Sequence, residues 1–148
     1  GGRINIATCS IGTAQSALEE AQKHMNLREQ FGQKIAEFQA MQFKIADMVT
    51  ALVSARNMVR LAAFRLDQDH HEAHIYCAMA KKYATDVGYL VCNEALQIFG
   101  GYGYIQEYPL ERNVRDVRVH QILEGTNEIM NVIIGRRMIM EDAASIIQ

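Results

Sequence analysis

Tryptophan is absent from this chain and proline occurs once, at Pro109. With so few helix breakers, long uninterrupted helices are the natural expectation. The formal charge of −2 supplies no basic footprint for nucleic acid or an anionic membrane. No apolar run reaches the roughly 18 residues that a spanning helix needs, and no charged-then-apolar leader opens the chain. The three cysteines, Cys9, Cys77 and Cys92, are odd in number and form no CxxC pair. They argue against a disulfide framework or a zinc ribbon, and fit a reducing compartment. There is no repeat at a fixed period, no low-complexity linker and no alternating strand pattern.

What is present is a chain of 148 residues that is 49% hydrophobic, long enough to bury the core of one domain without staples. Its opening, "GGRINIA", lacks an initiator methionine and starts inside a helical pattern, as a fragment or processed piece would. Apolar residues at steps of three and four predict four helical segments. The first carries Ile4, Ala7, Ile11, Ala14, Leu18, Ala21 and Met25 and stops near Gly32, a candidate C-terminal cap. The second runs from about Phe38 to Leu66, with Met41, Ile45, Met48, Leu52, Val59, Ala63 and Leu66 on one side. The third covers about Glu72 to Phe99, with Tyr76, Ala80, Tyr83, Val87, Leu90, Val91 and Ile98 on its stripe, and halts at Gly100 and Gly101. A loop, "GGYGYIQEYPLERN", follows. The fourth segment begins near Thr126 and carries Ile129, Val132, Ile133 and Ile139 to the end of the chain. An all-α, antiparallel four-helix bundle is the simplest way to bury these stripes.

A bundle says nothing of function, so the weight falls on three places where the pattern breaks. In "NLREQFGQKIAEFQ", Arg28, Gln30 and Gln39 are solvated turn residues or, with a partner, a planar cation suited to phosphate or stacking beside Phe31 and Gly32. In "QIFGGYGYIQEYP", adjacent glycines stop a helix or let backbone approach a phosphate, with Gln97 as a hydrogen-bonding group; no Gly-Lys-Ser/Thr follows, so this is no Walker loop. In "HQILEGTNEIM", Glu124 is a first-turn carboxylate capped by Thr126 or Asn127, or a general base. The second role asks for dry neighbours, which Ile122 and Leu123 offer, and for close approach, which Gly125 allows.

Taken in order, the three breaks resemble the C-terminal helical domain of the acyl-CoA dehydrogenases, flavoenzymes that oxidise acyl-CoA thioesters to 2-enoyl-CoA. The resemblance runs from "GGRINIA" to about Met140 through "LREQFGQKIAEFQ" and "QIFGGYGYIQEYPLERNVRDVRVHQILEGTNEI". "RVHQILEGTNEI" and "GGRINIA" look most similar to the short- and branched-chain group, of the isobutyryl-CoA dehydrogenase type. The resemblance implies that Glu124 is the catalytic base and that its backbone N–H helps polarise the thioester carbonyl. It implies that Thr126, Asn127 and Glu128 touch FAD, and that Arg28, Gln39, Gln97, Ile98, Phe99, Gly100 and Gly101 hold its adenosine and pyrophosphate. Arg28 and the run from Gln97 to Gly101 would reach a flavin seated mainly in a neighbouring subunit, so a homodimer or homotetramer is implied. Arg3 matches a substrate-side arginine, and Gly125 would lie against the acyl-CoA. Some relatives carry the base just before that arginine, where this chain has Gly2.

The resemblance further implies electron-transfer flavoprotein as acceptor and a mitochondrial matrix or bacterial cytoplasmic location. The full family architecture adds an N-terminal helical domain and a middle β-domain that this chain lacks, so the function implied is that of the parent enzyme. The rival readings are an acyl-CoA oxidase and a non-catalytic helical association module. His70, His71 and His74 have helix-compatible spacing but lie in a polar connection, and a solvated turn is the better reading than a metal site. His120 reads as structural, and "ERNVRDVR" as a salt-bridged surface or interface element. The eight methionines fit core gaps.

Overall fold

A computed structural model describes residues 1–140. Six helices account for most of them: α1 (Gly2–Leu27), α2 (Gln39–Asp67), α3 (Ala73–Phe99), α4 (Gly101–Tyr104), α5 (Leu110–His120) and α6 (Asn127–Met140). Two short strands, β1 (Glu29–Gln30) and β2 (Gln33–Lys34), and a 3-10 turn at Ile35–Glu37 lie between α1 and α2. The all-α class expected from composition and periodicity holds.

The three long helices pack against one another, and α3 is the axis, touching α1, α2, α4, α5 and α6. That position explains its sequence. A single stripe would serve one neighbour, whereas α3 buries residues on several sides, including Ile75, Ala80, Ala84, Val87, Val91, Cys92, Ala95 and Ile98. Leu90, expected on the stripe, is half exposed. The face that α1 turns to the core is small: Ala7, Ser10, Ala14, Ala17 and Ala21 are all fully buried. Small side chains let the backbones approach, and a Cβ placed on Gly88 of α3 would lie 2.9 Å from Ser10 Cβ. Ile11, Leu18 and Met25 supply the apolar bulk beside them, each contributing about 1.5 to 3 kcal/mol when fully buried.

The first helix stops at Leu27, earlier than Gly32. Arg28 is already extended (φ −77°, ψ 129°), with its N–H on the His24 carbonyl. Gly32 serves the next turn instead. Phe31 (φ 54°) and Gly32 (φ 81°) both have positive φ, as a two-residue type I′ hairpin requires, and Glu29 pairs with Lys34 across it. Strands of two residues are too short to show alternation. Along α2, Met48, Leu52, Ala55, Val59 and Ala62 face inward, while Leu66 is 38% exposed at the helix end. The outward side of α2 shows Phe43, Val53, Leu61 and Phe64 to solvent.

The main departure lies at 110–120, expected as loop and surface run. Pro109 stands directly ahead of α5, a favoured place for it because the first helical N–H groups need no intrahelical partner. Leu110 and Val117 are fully buried, with Val114 packed beside them. The charges of "ERNVRDVR" cover the other side, with Arg115 Nε 2.9 Å from Glu111 Oε2. On α6 the expected stripe is turned: Met130 is buried and Ile133, Ile134 and Met138 pack on the core. Ile129, Val132 and Ile139 point outward at 50%, 43% and 83% exposure. The expected run of this helix beyond Met140 lies outside the described residues. Among the described residues, no helix is long and apolar enough to cross a membrane.

Candidate active site

Glu124 sits in the turn between α5 and α6, and its backbone is unusual. Its φ is 56°, followed by 91° at Gly125. A glutamate in the left-handed region carries about 1 to 2 kcal/mol of strain, a conformation kept where the surroundings over-determine it. The carboxylate lies against Gly2 at the start of α1. A Cβ there would meet Glu124 Oε2 and come within 2.6 Å of Cδ. A side chain here would displace the flexible end of Glu124, so Gly2 and the Glu124 carboxylate share one place in the fold. Arg3 follows on the same turn, half-buried. Glu124 and Gly125 are exposed, as are Ile122 (50%) and Leu123 (42%). The expected apolar flank is present, and its desolvating effect requires a covering surface beyond these residues. Gly125 is also constrained from behind, where a Cβ would stand 2.8 Å from Met130 Cε.

Beneath the turn lies a buried polar network that periodicity gave no reason to suspect. Lys81 of α3 is 0% exposed. Its Nζ donates to the carbonyls of Gln121 (3.2 Å) and Gly125 (2.8 Å) and to Asn127 Oδ1 (2.8 Å). Burial pushes this ammonium below the usual lysine range, while the charges of Asp86, Glu128 and Glu124 pull the other way. Asn127 donates from Nδ2 to Thr85 Oγ1 (2.9 Å) and Asp86 Oδ1 (2.8 Å), and Gln121 Nε2 donates to Asp86 Oδ1 at 2.7 Å. Its side chain is buried and both polar atoms are engaged within this chain, so the Asn127 amide is a structural tie. The sequence signal that was available is a lysine placed among the apolar residues of "YCAMAKKYA".

Thr126 is half-buried and caps α6, its Oγ1 accepting the Ile129 N–H at 3.4 Å. Glu128, exposed, has its carboxyl held below the usual range by its own backbone N–H and by the Thr126 hydroxyl. His120 Nδ1 and Ser10 Oγ lie 2.8 Å apart, tying the end of α5 to α1 in the structural role expected of it. Burial pushes the His120 imidazole down.

The remaining candidates gather at the opposite end of α1, which is 26 residues long, about 39 Å at roughly 1.5 Å per residue. Arg28, Ile98, Phe99, Gly100 and Gly101 border one open groove of about 460 Å³, with His24 and Tyr102 among its other walls. Gly100 has φ 61° and ψ −136°, a conformation open to glycine alone. A Cβ on Gly100 or Gly101 would meet nothing within 4 Å, so the backbone itself faces the open space. The Arg28 guanidinium stands 5.6 Å from the Tyr102 ring centre, and His24 stacks on Phe99 at 4.1 Å. Burial, then the charge of Arg28, push the His24 imidazole down, which keeps it a neutral flat ring near neutral pH. A fixed cation, exposed backbone and aromatic faces suit an anionic ligand carrying a flat ring. Gln97 in the last turn of α3 and Gln39 at the start of α2 are exposed outside the groove wall. The candidates therefore form two clusters. His70 keeps to its own turn, its Nδ1 accepting the Glu72 N–H at 3.1 Å.

Comparison with known proteins identifies the class. Residues 1–139 match the family described as acyl-CoA dehydrogenase, C-terminal domain, and the chain belongs to that family. It is 51% identical over 142 residues to the mitochondrial isobutyryl-CoA dehydrogenase of Dictyostelium discoideum, covering 96% of this chain and 34% of that protein. It is 47% identical over 134 residues to a caffeyl-CoA reductase-Etf complex subunit of Acetobacterium woodii, covering 90% of this chain and 35% of that protein. The butyryl-CoA dehydrogenase structure from Megasphaera elsdenii superposes with a TM-score of 0.90 at 42% identity, over 93% of this chain and 36% of that one. The chain thus spans about a third of the length of the relatives it matches. The similarity fits the short- and branched-chain group.

Proposed function

We propose that this chain is the base-bearing part of a flavin-dependent acyl-CoA dehydrogenase that oxidises a short or branched acyl-CoA to the 2-enoyl-CoA. The observation that carries the reading is the Glu124 carboxylate, set on a left-handed turn against Gly2 and preceded by the exposed apolar side chains of Ile122 and Leu123. In this role a Glu124 carboxylate oxygen takes the α-proton of the thioester and holds it as the carboxylic acid. The Glu124 N–H donates to the thioester carbonyl and stabilises the charge that develops there. Ile122 and Leu123, once covered, exclude water from the carboxylate. Arg3 and Gly125 border the acyl-CoA. FAD, when bound, supplies the acceptor for the β-hydrogen.

The groove at the far end of α1 fits part of the same cofactor in a second copy of the chain. Arg28 would face the pyrophosphate, the Gly100–Gly101 backbone would pass close to it, and Ile98 and Phe99 would back the adenosine, with Gln39 and Gln97 at the margin. Thr126, Asn127 and Glu128 would lie on the flavin side of the Glu124 turn, Asn127 through its backbone because its amide is engaged. Two clusters about 39 Å apart along one helix cannot both grip one flavin within a single chain, which supports a homodimer or homotetramer. The relative named as part of an Etf complex supports electron-transfer flavoprotein as the acceptor. Mitochondrial and bacterial relatives support a matrix or bacterial cytoplasmic site of action.

The test is Glu124→Gln in the full-length enzyme, assayed with isobutyryl-CoA and an artificial acceptor while flavin absorbance is recorded. The expected result is retained flavin with reduction slowed about 10³-fold or more. Reduction near the wild-type rate would return Glu124 to a helix-start carboxylate.

A further inference from the structure

Lys81 is the residue whose placement stability alone does not explain. Burying an ammonium is among the least favourable things a core can do, and an apolar side chain of similar volume often serves stability as well or better. Its three acceptors lie on the chain just before and just after Glu124: the carbonyl of Gln121, the carbonyl of Gly125 and the Asn127 side chain. Between those anchors the backbone turns through the left-handed conformation of Glu124. The backbone's own closure of the turn is the single Asn127 N–H to Gln121 carbonyl bond at 3.0 Å. Asn127 is steadied in turn by Thr85 and Asp86, about one turn further along α3, so the bracket is rooted in the helix that packs against each of the other described α-helices.

We infer that Lys81 is a positioning residue for Glu124, its buried ammonium pinning the backbone on both sides and so holding the carboxylate over Gly2 in one orientation. The inference rests on the proposed base role of Glu124. Lys81 makes its hydrogen bonds to the turn and to Asn127 rather than to the Glu124 carboxylate, so it positions that carboxylate through the backbone.

The experiment uses the full-length holoenzyme with Lys81→Met, which keeps length and volume and removes every donor. Three readouts are compared with wild type: the rate of flavin reduction by isobutyryl-CoA, the isotope effect with α-deuterated substrate, and backbone hydrogen exchange of residues 121–127. The expected result is a rate lowered about 30- to 100-fold, as for a misplaced catalytic group. Substrate affinity should stay within about threefold, the α-deuterium effect should rise, and exchange should quicken in the turn but not in α1. A variant that melts earlier yet reduces flavin at the wild-type rate with unchanged turn exchange would overturn the inference, leaving Lys81 a core residue. If Lys81→Met does not yield folded enzyme, Thr85→Val removes the hydroxyl that steadies Asn127 without changing shape. It should show the same pattern with a loss of about three- to tenfold, and wild-type behaviour there counts equally against the inference. Glu124→Gln run alongside separates the two claims. Wild-type reduction in Glu124→Gln sinks the base reading, whereas loss in Glu124→Gln with an unaffected Lys81→Met sinks only the role of Lys81.

Discussion

At one end of α1 a carboxylate rests on a strained turn whose underlying polar groups are all paired within the chain; at the other, an arginine, two glycines and a set of rings border a groove open to solvent. The contrast follows from what each end is proposed to do. A group that must meet one proton at one angle gains from a rigid backbone and a fixed side chain. A surface that holds part of a large cofactor gains from exposed donors and flat faces that need no movement to be met. Glycine appears at both ends for different reasons. Gly2 is small because Glu124 occupies the space a methyl would take, whereas Gly100 is glycine for its backbone angles and has empty space beyond its Cα.

That distinction can be broken by two substitutions of one methyl group each. Gly2→Ala carries the larger expected effect. Its backbone tolerates alanine, so the flexible end of Glu124 swings away. Flavin reduction should fall about 100-fold while thermal stability stays within about 1 kcal/mol and flavin content is unchanged. Stopped-flow reduction and a melting curve check both halves, and an unaffected rate would mean that the carboxylate's seat on Gly2 is irrelevant. Gly100→Ala should do the reverse. Forcing alanine into that conformation costs about 1 to 3 kcal/mol, read as a lower melting temperature and weaker flavin retention on dilution, with the reduction rate of flavin-loaded enzyme near wild type. Because the sites lie at opposite ends of a long helix, the double variant should show the sum of the two effects, and a marked departure would mean that the clusters are coupled.

Much of the scaffold was legible because α1, α2 and α3 repeat their apolar residues at helical spacing. The short α5 was not, since its polar residues outnumber the inward Leu110, Val114 and Val117; Pro109 was the overlooked start signal. On α6 apolar residues occur on every side, so periodicity could not say which faced in, and Met130 rather than Ile129 was buried. The motifs around Glu124, Arg28 and Gly100 stood out in the sequence, but their grouping is tertiary. The seat of Glu124 on Gly2, the meeting of Arg28 with Gly100 and the grip of Lys81 on the turn each join residues far apart in the chain, where local pattern carries no signal.

The helix that leaves the Glu124 turn is anchored near its far end by a pair that links the fold to acidity. Arg137 of α6 donates from Nε to both carboxylate oxygens of Glu72, at 2.9 and 3.1 Å, just ahead of α3. The Arg137 hydrogen bonds hold the Glu72 carboxyl below its ordinary 4.5 despite the opposing effect of burial. A depressed carboxylate stabilises the folded state fully above the unfolded value and loses that contribution as pH falls through the folded one. The melting temperature should therefore drop on acidification below about 4.5, and Glu72→Gln should start lower at neutral pH and lose that part of the decline. The clasp that keeps α6 in place is thus a proton-sensitive one, closed at neutral pH and loosened as acid protonates Glu72.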